Sequence, residues 1–202
     1  MTVSARRVVA RFLRADTEPT QEMKDWFDKR TSEHIERVQK YCQKIEKYDP
    51  KKFKGLVEQG KDHDQSKLKK PEIDPYIWIT WQYKCQDDGK KFDAPDGIED
   101  KMNEATQHHV KNNRHHPEFH CSKKVDLINR DDRDKPPSEM VDATKMLDLD
   151  IAEMCADWLA MSEEKKSSPK DWADKNVNVR WKFTNGQKDL IYKLISDIGV
   201  DR

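Results

Sequence analysis

The apolar residues of this chain recur at helical rather than strand spacing, and this periodicity restricts the fold more than any other feature. One segment places them at i, i+3, i+4, i+7 and i+8: Ile151, Met154, Cys155, Trp158 and Leu159. Similar spacing occurs over Gln21–Lys47, whereas strand-type alternation is scarce. We therefore predict an all-α single domain over residues 21–202, with about seven to nine helices.

Other helices are predicted from their boundaries. Ile73–Cys85 is rich in aromatic residues, and its length and charged flanks favour a buried helix over a strand. Ile98–His116 is predicted to be a helix that ends at Pro117. Ser168 followed by Pro169 predicts the start of a further helix, and Asn185 is the predicted cap of the last one.

The charge balance excludes a general polyanion-binding protein. Lys+Arg and Asp+Glu both total 39, so the net charge is zero, and we do not expect nucleic acid as a partner. No apolar run approaches the roughly 18–20 residues of a membrane span, so no membrane partner is expected either. The four cysteines form no C-x-x-C pair and no secretory signal is visible, which favours free thiols and a cytoplasmic location. A homo-oligomer is left open.

Residues 1–20 differ from the rest of the chain. Their first part carries Arg6, Arg7, Arg11 and Arg14 among apolar residues and no acid. We interpret this segment as a basic amphipathic N-terminal arm or helix that docks on the domain. A transit-peptide-like segment is the alternative.

The histidines point to metal chemistry. His34 lies in the first long helix, His63 is followed directly by Asp64, and five histidines fall between positions 108 and 120. Neutral imidazole and carboxylate together suit Zn, Fe, Mn, Ni or Co. The alternative is a structural or adventitious His-rich tract.

Helix geometry limits how the His-rich block can act. On a continuous helix, His109, Asn113 and His116 share one stripe, and His108 and His115 lie on the neighbouring stripe. Two histidines seven residues apart are then about 10 Å apart along the axis, too far for easy chelation of one ion but suitable for bracketing two. Alternatively, the second His pair lies beyond the helix end, where Pro117 forces a turn.

An acidic stripe accompanies the apolar one on the helix that begins at Asp148. Asp150, Glu153 and Asp157 follow i, i+3 and i+7, a pattern that is usually a solvated face. Asp157, however, stands among apolar neighbours, and a carboxylate entering an apolar seam must be neutralised, paired or metal-bound. We predict that Asp157 is a ligand.

Three sequence boxes in order carry a family resemblance. They are His63-Asp-x-Ser-Lys67 followed by Pro75-Tyr76, the His108–Glu118 block, and Glu153-Met-x-x-Asp-Trp-x-Ala-Met161. With His34 they resemble the H…HD…D signature of the HD-domain superfamily, whose members are all-α, metal-dependent and mostly phosphohydrolases. The closer similarity is to a family of small uncharacterised proteins common in bacteriophage genomes. It extends over residues 31–198 and includes the segment around Trp172.

By position, the resemblance implies a first metal site formed by His34, His63, Asp64 and Asp157. A second ion, as in HD proteins with additional histidines, would be bridged by Asp64 and held by two residues of the His-rich block: His109 and His116, with His108 and His115 as alternates. The block is more compact here than the separated histidines of two-metal HD proteins. The implied cofactor is one or two divalent ions of Mn, Fe, Co, Ni or Zn, with Mg as a further option.

The expected function is hydrolysis of a nucleotide or similar small phosphorylated metabolite by metal-activated water. Lys67, Lys111 and Arg114 are the predicted phosphate-binding residues. Asp64, Lys67, Glu118 and Glu153 are the predicted catalytic residues, with Asp150 as another acid beside the metal. Tyr76, Trp78 and Trp81 are interpreted mainly as core, with base stacking as the alternative.

Two other functions remain open. Some HD relatives use a di-iron centre for oxidative cleavage, so a di-iron oxygenase is one alternative. A non-catalytic protein that binds a partner through its basic N-terminal arm is the other.

Overall fold

The computed structural model describes residues 18–122 and 139–199. Most of the N-terminal arm predicted at residues 1–20 therefore lies outside the described residues.

The described part of the chain is helical, as predicted. It contains seven α-helices: α1 (Gln21–Tyr48), α2 (Leu56–Gln59), α3 (Ile73–Asp87), α4 (Ile98–Asn112), α5 (Asp148–Lys165), α6 (Pro169–Asn176) and α7 (Asn185–Ile198). Two 3₁₀ turns, Gln65–Leu68 and Pro117–His120, and two short strands, β1 (Val141–Asp142) and β2 (Trp181–Lys182), complete it. The strands pair in parallel, with Val141 opposite Trp181. The predicted all-α class is confirmed.

Helix α1 is the central element because it contacts α2, α3, α5 and α7. The Thr20 side chain accepts a hydrogen bond from the Met23 amide and so caps its start. Its buried face runs from Met23 and Phe27 near the start to Val38 and Ile45 near the end. The buried face of this one helix thus contributes apolar side chains to the core along its whole length.

The core consists of two apolar clusters. The first joins the start of α1 to α3 and α4 through Phe27, Ile77, Trp78 and Met102. Trp78 is buried there, in agreement with its interpretation as core. Because His34 lies between Phe27 and Val38 on α1, its side chain enters the molecule where the two clusters meet.

The second cluster surrounds α5, which is buried along most of its length. Ile151, Met154 and Cys155 contact residues of α1 and α7 in this cluster. Burial of each large aliphatic side chain contributes about 1.5–3 kcal/mol to the stability of the fold. Because α5 buries many such side chains, its position is fixed. The polar residues of α5 that face inward are therefore placed rigidly.

Two of the helix boundaries follow local capping chemistry. Ser168 caps α6 through the Asp171 amide, as predicted. The cap of α7 is Thr184 rather than the predicted Asn185: Thr184 and Gln187 form a reciprocal capping box, which satisfies two backbone N–H groups at once.

Candidate metal centre

The His63-Asp64 pair lies on a turn. Asp64 adopts the left-handed backbone conformation (φ 59°) and is followed by the 3₁₀ turn Gln65–Leu68. Asp and Asn are the residues that tolerate this conformation best after glycine. The turn directs both side chains inward, where His63 and Asp64 are each 1% exposed.

The carboxylate of Asp64 lies at the centre of a histidine cluster. Its Oδ2 atom is 3.5 Å from His34 Nε2 and 3.7 Å from His63 Nε2. Its Oδ1 atom is 3.1 Å from His109 Nε2 and 3.8 Å from His115 Nε2. The two oxygens therefore face two different pairs of imidazoles.

The candidate ligand atoms form two adjacent groups. His34, His63 and Asp64 form one, and His109, His115 and His116 form the other. A third set, His63, His115 and Glu153, links the two, and within each set the atoms lie within 4.8 Å of one another. Asp157 extends the first group, since its Oδ1 is 3.1 Å from His34 Nε2. Two ligand atoms that each lie about 2.1 Å from one ion are roughly 3–4 Å apart, so these spacings fit coordination.

Hydrogen bonds at the other imidazole nitrogens determine which nitrogen is available. His63 Nδ1 and His115 Nδ1 lie 2.9 and 3.3 Å from Glu153 Oε1. His109 Nδ1 lies 2.9 Å from Glu72 Oε2. An Nδ1–H that is donated to a carboxylate leaves Nε2 unprotonated and suited to a metal.

Several buried polar atoms at this point have no hydrogen-bond partner among the described residues. They are Nε2 of His63, His109 and His116, and Oδ1 of Asp64. A buried polar atom without a partner costs about 1–3 kcal/mol, and such groups are rare in folded proteins. Four such atoms converge in one place, where a bound cation would give them partners.

The acids of the site are held ionised. Burial alone raises the pKa of Glu153, but hydrogen bonds from His115 and His63 outweigh burial and lower it to about 2. Burial likewise opposes ionisation of Asp157, whose pKa is nevertheless lowered by the hydrogen bond and charge of His34. For Asp64 the charges of Lys67 and His63 overcome burial, so its pKa lies well below its ordinary value. Ionised carboxylates are the form that binds cations.

His116 is held neutral. Burial, followed by the neighbouring charges of His115 and His109, lowers its pKa well below the ordinary value. A neutral imidazole is the form that coordinates metal.

A cavity of about 490 Å³ opens above the cluster. His34, Asp64, His116 and Asp157 are among the residues that line it. Aromatic rings and basic side chains form the walls: Tyr76, Tyr83, Trp158, Trp172, Trp181, Arg30, Lys67, Lys165 and Arg180. This volume suits a small molecule.

The predicted phosphate-binding residues divide into two kinds. Lys67 lines the cavity, with Nζ 2.5 Å from Asp64 Oδ2 and 5.2 Å from the centre of the Tyr76 ring. Arg114 instead binds Asp150 through two hydrogen bonds of 3.0 and 3.2 Å. Lys111 is exposed, and neither Lys111 nor Arg114 lines the cavity. The basic wall residues Arg30, Lys165 and Arg180 were missed by the sequence analysis.

The prediction of one continuous helix through the His-rich block is wrong. The second His pair lies beyond the helix end, which is the alternative given above. Helix α4 ends at Asn112, and Asn113 has an extended backbone (ψ 123°). The Asn113 amide donates to His109 O and to Ser66 Oγ, which anchors the helix end. His115 and His116 thereby return towards His109, with ring centres 5.9 and 4.9 Å from it.

The remaining candidates are placed as follows. His108, an alternate ligand, is 42% exposed and pairs with Glu72, so it points away from the cluster. Glu153, a predicted catalytic acid, contacts the Nδ1 atoms of two histidines, which suits orientation of ligands better than proton transfer. Glu118 lines the cavity: its Oε1 accepts from Trp181 Nε1 at 2.9 Å, and its Oε2 has no partner among the described residues.

Sequence reasoning missed Glu72 and Ser66. Glu72 is fully buried and contacts both His108 and His109, while Ser66 Oγ donates to Glu72 Oε2 at 2.8 Å. Neither residue follows a recognisable spacing, because the histidines that they contact lie more than 35 positions away in the chain. The only local signal is Ser66 inside the His-Asp-x-Ser-Lys box.

Among the described residues, no helix is both long and apolar enough to cross a membrane. A model of a family of unknown function, DUF5662, matches residues 23–197. No curated protein and no solved structure matches the chain. The matched range contains every residue of the two ligand groups.

Proposed function

We propose that this chain, which belongs to the DUF5662 family of unknown function, is a metal-dependent phosphohydrolase that acts on a small phosphorylated molecule such as a nucleotide. The family assigns no chemistry, so the proposal depends on the site.

One observation carries the proposal. Asp64, His109 and His116, whose Oδ1 and two Nε2 atoms have no partner among the described residues, line a cavity of substrate size, and the unpartnered Nε2 of His63 lies next to them, 3.7 Å from Asp64 Oδ2. Nitrogen and carboxylate donors at these spacings fit one or two divalent transition ions, with Asp64 facing both ligand groups. Bound ions would supply acidified water and neutralise charge on phosphoryl oxygens.

Residues of the chain would position the substrate. Lys67 lies beside Asp64 and lines the same cavity, where its ammonium group would bind a phosphoryl oxygen. Glu118 borders the same cavity and offers a carboxylate oxygen to the substrate or to water. The aromatic wall, including Tyr76 and Trp158, excludes water and gives a flat group a surface for stacking.

Metal content and hydrolysis test the proposal together. We expect protein purified without a His-tag to contain at least one transition ion, and to hydrolyse members of a panel of nucleotides and sugar phosphates with Mn, Co, Ni, Zn, Fe or Mg. Asp64→Asn should reduce hydrolysis by about 10²-fold or more, because both ligand groups lose their shared carboxylate.

Asp62→Asn is the matched control, since Asp62 is exposed and two residues from Asp64. It should leave metal content and hydrolysis unchanged. Hydrolysis that survives both Asp64→Asn and a His63→Ala plus Asp64→Ala variant would refute the assigned site.

The nitrogen-rich second ligand group favours a second candidate function, a di-iron oxygenase. Three imidazoles with one shared carboxylate suit iron as well as the ions of hydrolases. Two Fe per chain with absorption that changes on reduction would favour the oxygenase. Zn, Mn or Ni without redox-sensitive absorption would favour the hydrolase.

The substrate is proposed to be a small molecule rather than nucleic acid, and the location to be the cytoplasm. Cys42, Cys85 and Cys155 are buried free thiols, which agrees with a reducing compartment. The non-catalytic alternative depends on the basic arm, and residues 1–17 of that arm lie outside the described residues.

A further inference from the structure

A second concavity adjoins the cavity above the metal cluster. It has a volume of about 430 Å³ and lies between α1 and the end of α5. Arg30 and Lys165 line both spaces. A ligand on the metal cluster can therefore extend past these two side chains into the second concavity.

The second concavity is basic. Five basic and three acidic side chains line it: Lys29, Arg30, Arg37, Lys165 and Lys166, with Glu33, Asp87 and Glu164. The acids are already engaged: Glu164 accepts from Arg30 at 2.9 Å and from Arg37 at 2.7 Å, Asp87 pairs with Lys165 at 2.7 Å, and Glu33 lies 4.0 Å from both Lys29 and Arg37. Lys166 has no ionic partner within residues 18–122 and 139–199. An excess of positive charge is left.

The buried polar groups of the second concavity that lack a hydrogen-bond partner are donors. Trp26 Nε1 and Arg37 Nε are buried without an acceptor in the described part of the chain. Together with the lysine ammonium groups they form a surface that offers hydrogens and requires acceptors. A phosphate or carboxylate group meets that requirement, and a neutral hydroxyl group meets it less well.

Helix geometry gives the distance between the second concavity and the metal cluster. Arg30 precedes His34 by four residues on α1, and Lys165 follows Asp157 by eight residues on α5. These separations correspond to about 6 and 12 Å along the helix axes. An anionic group held at Arg30 and Lys165 would thus lie roughly 1 nm from a phosphoryl group at the metals.

We propose that the substrate carries two separated anionic groups, one hydrolysed at the metal cluster and the other bound by Arg30, Lys165 and Lys166. This inference rests on the proposed function, because the phosphohydrolase site defines where the first group binds. It names a bisphosphorylated compound or a phosphorylated carboxylic acid as the class of substrate.

Binding of matched probes to the Mn-loaded full chain tests the inference without requiring turnover. The probes are fructose 1,6-bisphosphate against fructose 6-phosphate, and adenosine 3′,5′-bisphosphate against adenosine 5′-monophosphate. We expect the bisphosphate of at least one pair to bind about tenfold more tightly at low salt, as two or three partly exposed ion pairs allow. The difference should shrink as salt screens the charges.

Lys165→Gln plus Lys166→Gln should reduce the preference to about threefold or less, since two of the exposed charges are removed. The control is Lys47→Gln plus Lys51→Gln: Lys47 also lies in the last turn of a helix, and both residues are exposed and line neither space. This control should keep the full preference.

Equal affinities within both pairs, a preference that survives in the Lys165/Lys166 variant, or the absence of binding by all four probes would overturn the inference. Hydrolysis of monophosphates with equal affinities would leave the proposed function intact while refuting the second anion site. A preference for bisphosphates that depends on Lys165 and Lys166, without hydrolysis of any probe, would support the second anion site and argue against the proposed hydrolase activity.

Discussion

The two His-His pairs of this protein have the same sequence and different geometry. His108-His109 lies on α4, where His109 reaches Asp64 and His108 is turned to the surface. His115-His116 lies beyond the helix, and both residues belong to the second ligand group. Consecutive side chains on a helix point about 100° apart, so only one of a pair can face a site. A segment outside the helix is free of this restriction, so both of its histidines can face the candidate site.

Removing one member of the helical pair gives the sharpest test of this comparison. His109→Ala should abolish one of two bound ions, because it removes an Nε2 that lies 3.1 Å from Asp64 Oδ1. His108→Ala should retain both ions. Metal content by mass spectrometry after gel filtration measures the difference, and equal losses in the two variants would contradict the assignment.

The two pairs also differ in the carboxylate that orients them. The histidines that Glu72 contacts are both in the helical pair, whereas Glu153 contacts His63 in the first ligand group and His115 in the second. Glu72→Gln should lower the affinity for one ion by about 10–100-fold, and Glu153→Gln should lower the affinity for both ions by a similar factor. Competition titrations against a chelating dye measure each affinity. A Glu72 variant that weakened both ions equally would argue against separate sites.

Acid stability reports on the loop pair through Glu153. Its pKa falls from an ordinary 4.5 to about 2 in the folded protein. A carboxylate with a depressed folded pKa contributes stability above its unfolded pKa and loses it as the pH falls through the window from 4.5 to about 2. The free energy of unfolding of metal-free protein, from urea titrations across this window, should fall less in Glu153→Gln than in the unaltered protein. Parallel decreases would show that Glu153 is not the group responsible.

The end of α4 separates the two pairs and gives the smallest expected effect. Asn113→Ala removes hydrogen bonds of 2.7 Å to His109 O and 3.0 Å to Ser66 Oγ. It should lower the free energy of unfolding by about 1 kcal/mol. Asn112→Ala is the control, because Asn112 is exposed and its own bond to His108 O faces solvent; its effect should be smaller. Urea denaturation without metal measures both, and a larger loss for Asn112→Ala would refute the assigned role of Asn113.

Much of the fold was predictable because its signals are local. Helical periodicity predicted α1 and α5, segment length and charged flanks predicted α3, and the Ser168-Pro169 start of α6 follows from one cap. The end of α4 was misplaced by four residues. The helix stops where the Asn113 side chain finds Ser66, a residue 47 positions away, and no local pattern records such a contact.

The candidate site was predictable to the extent that its residue types are diagnostic. His34, His63, Asp64, His109 and Asp157 were named from composition, spacing and resemblance, and the structure brings them together. Lys111 and Arg114 adjoin the His-rich block in sequence but line no part of the cavity: Lys111 is on an exposed face of α4, and Arg114, after the turn at Asn113, binds Asp150. Glu72 could not be identified, since a buried acid and an exposed acid look alike in a sequence.

The sequence by itself determined that the chain is helical and that it carries more imidazoles and paired acids than a helical core requires. These properties depend on near neighbours and on side-chain chemistry. Only the tertiary structure decided which nitrogen of each imidazole is available, which basic residues line the cavity and where the second concavity lies. Those properties depend on contacts between residues far apart in the chain, and the meeting of two apolar clusters around α1 is what positions them.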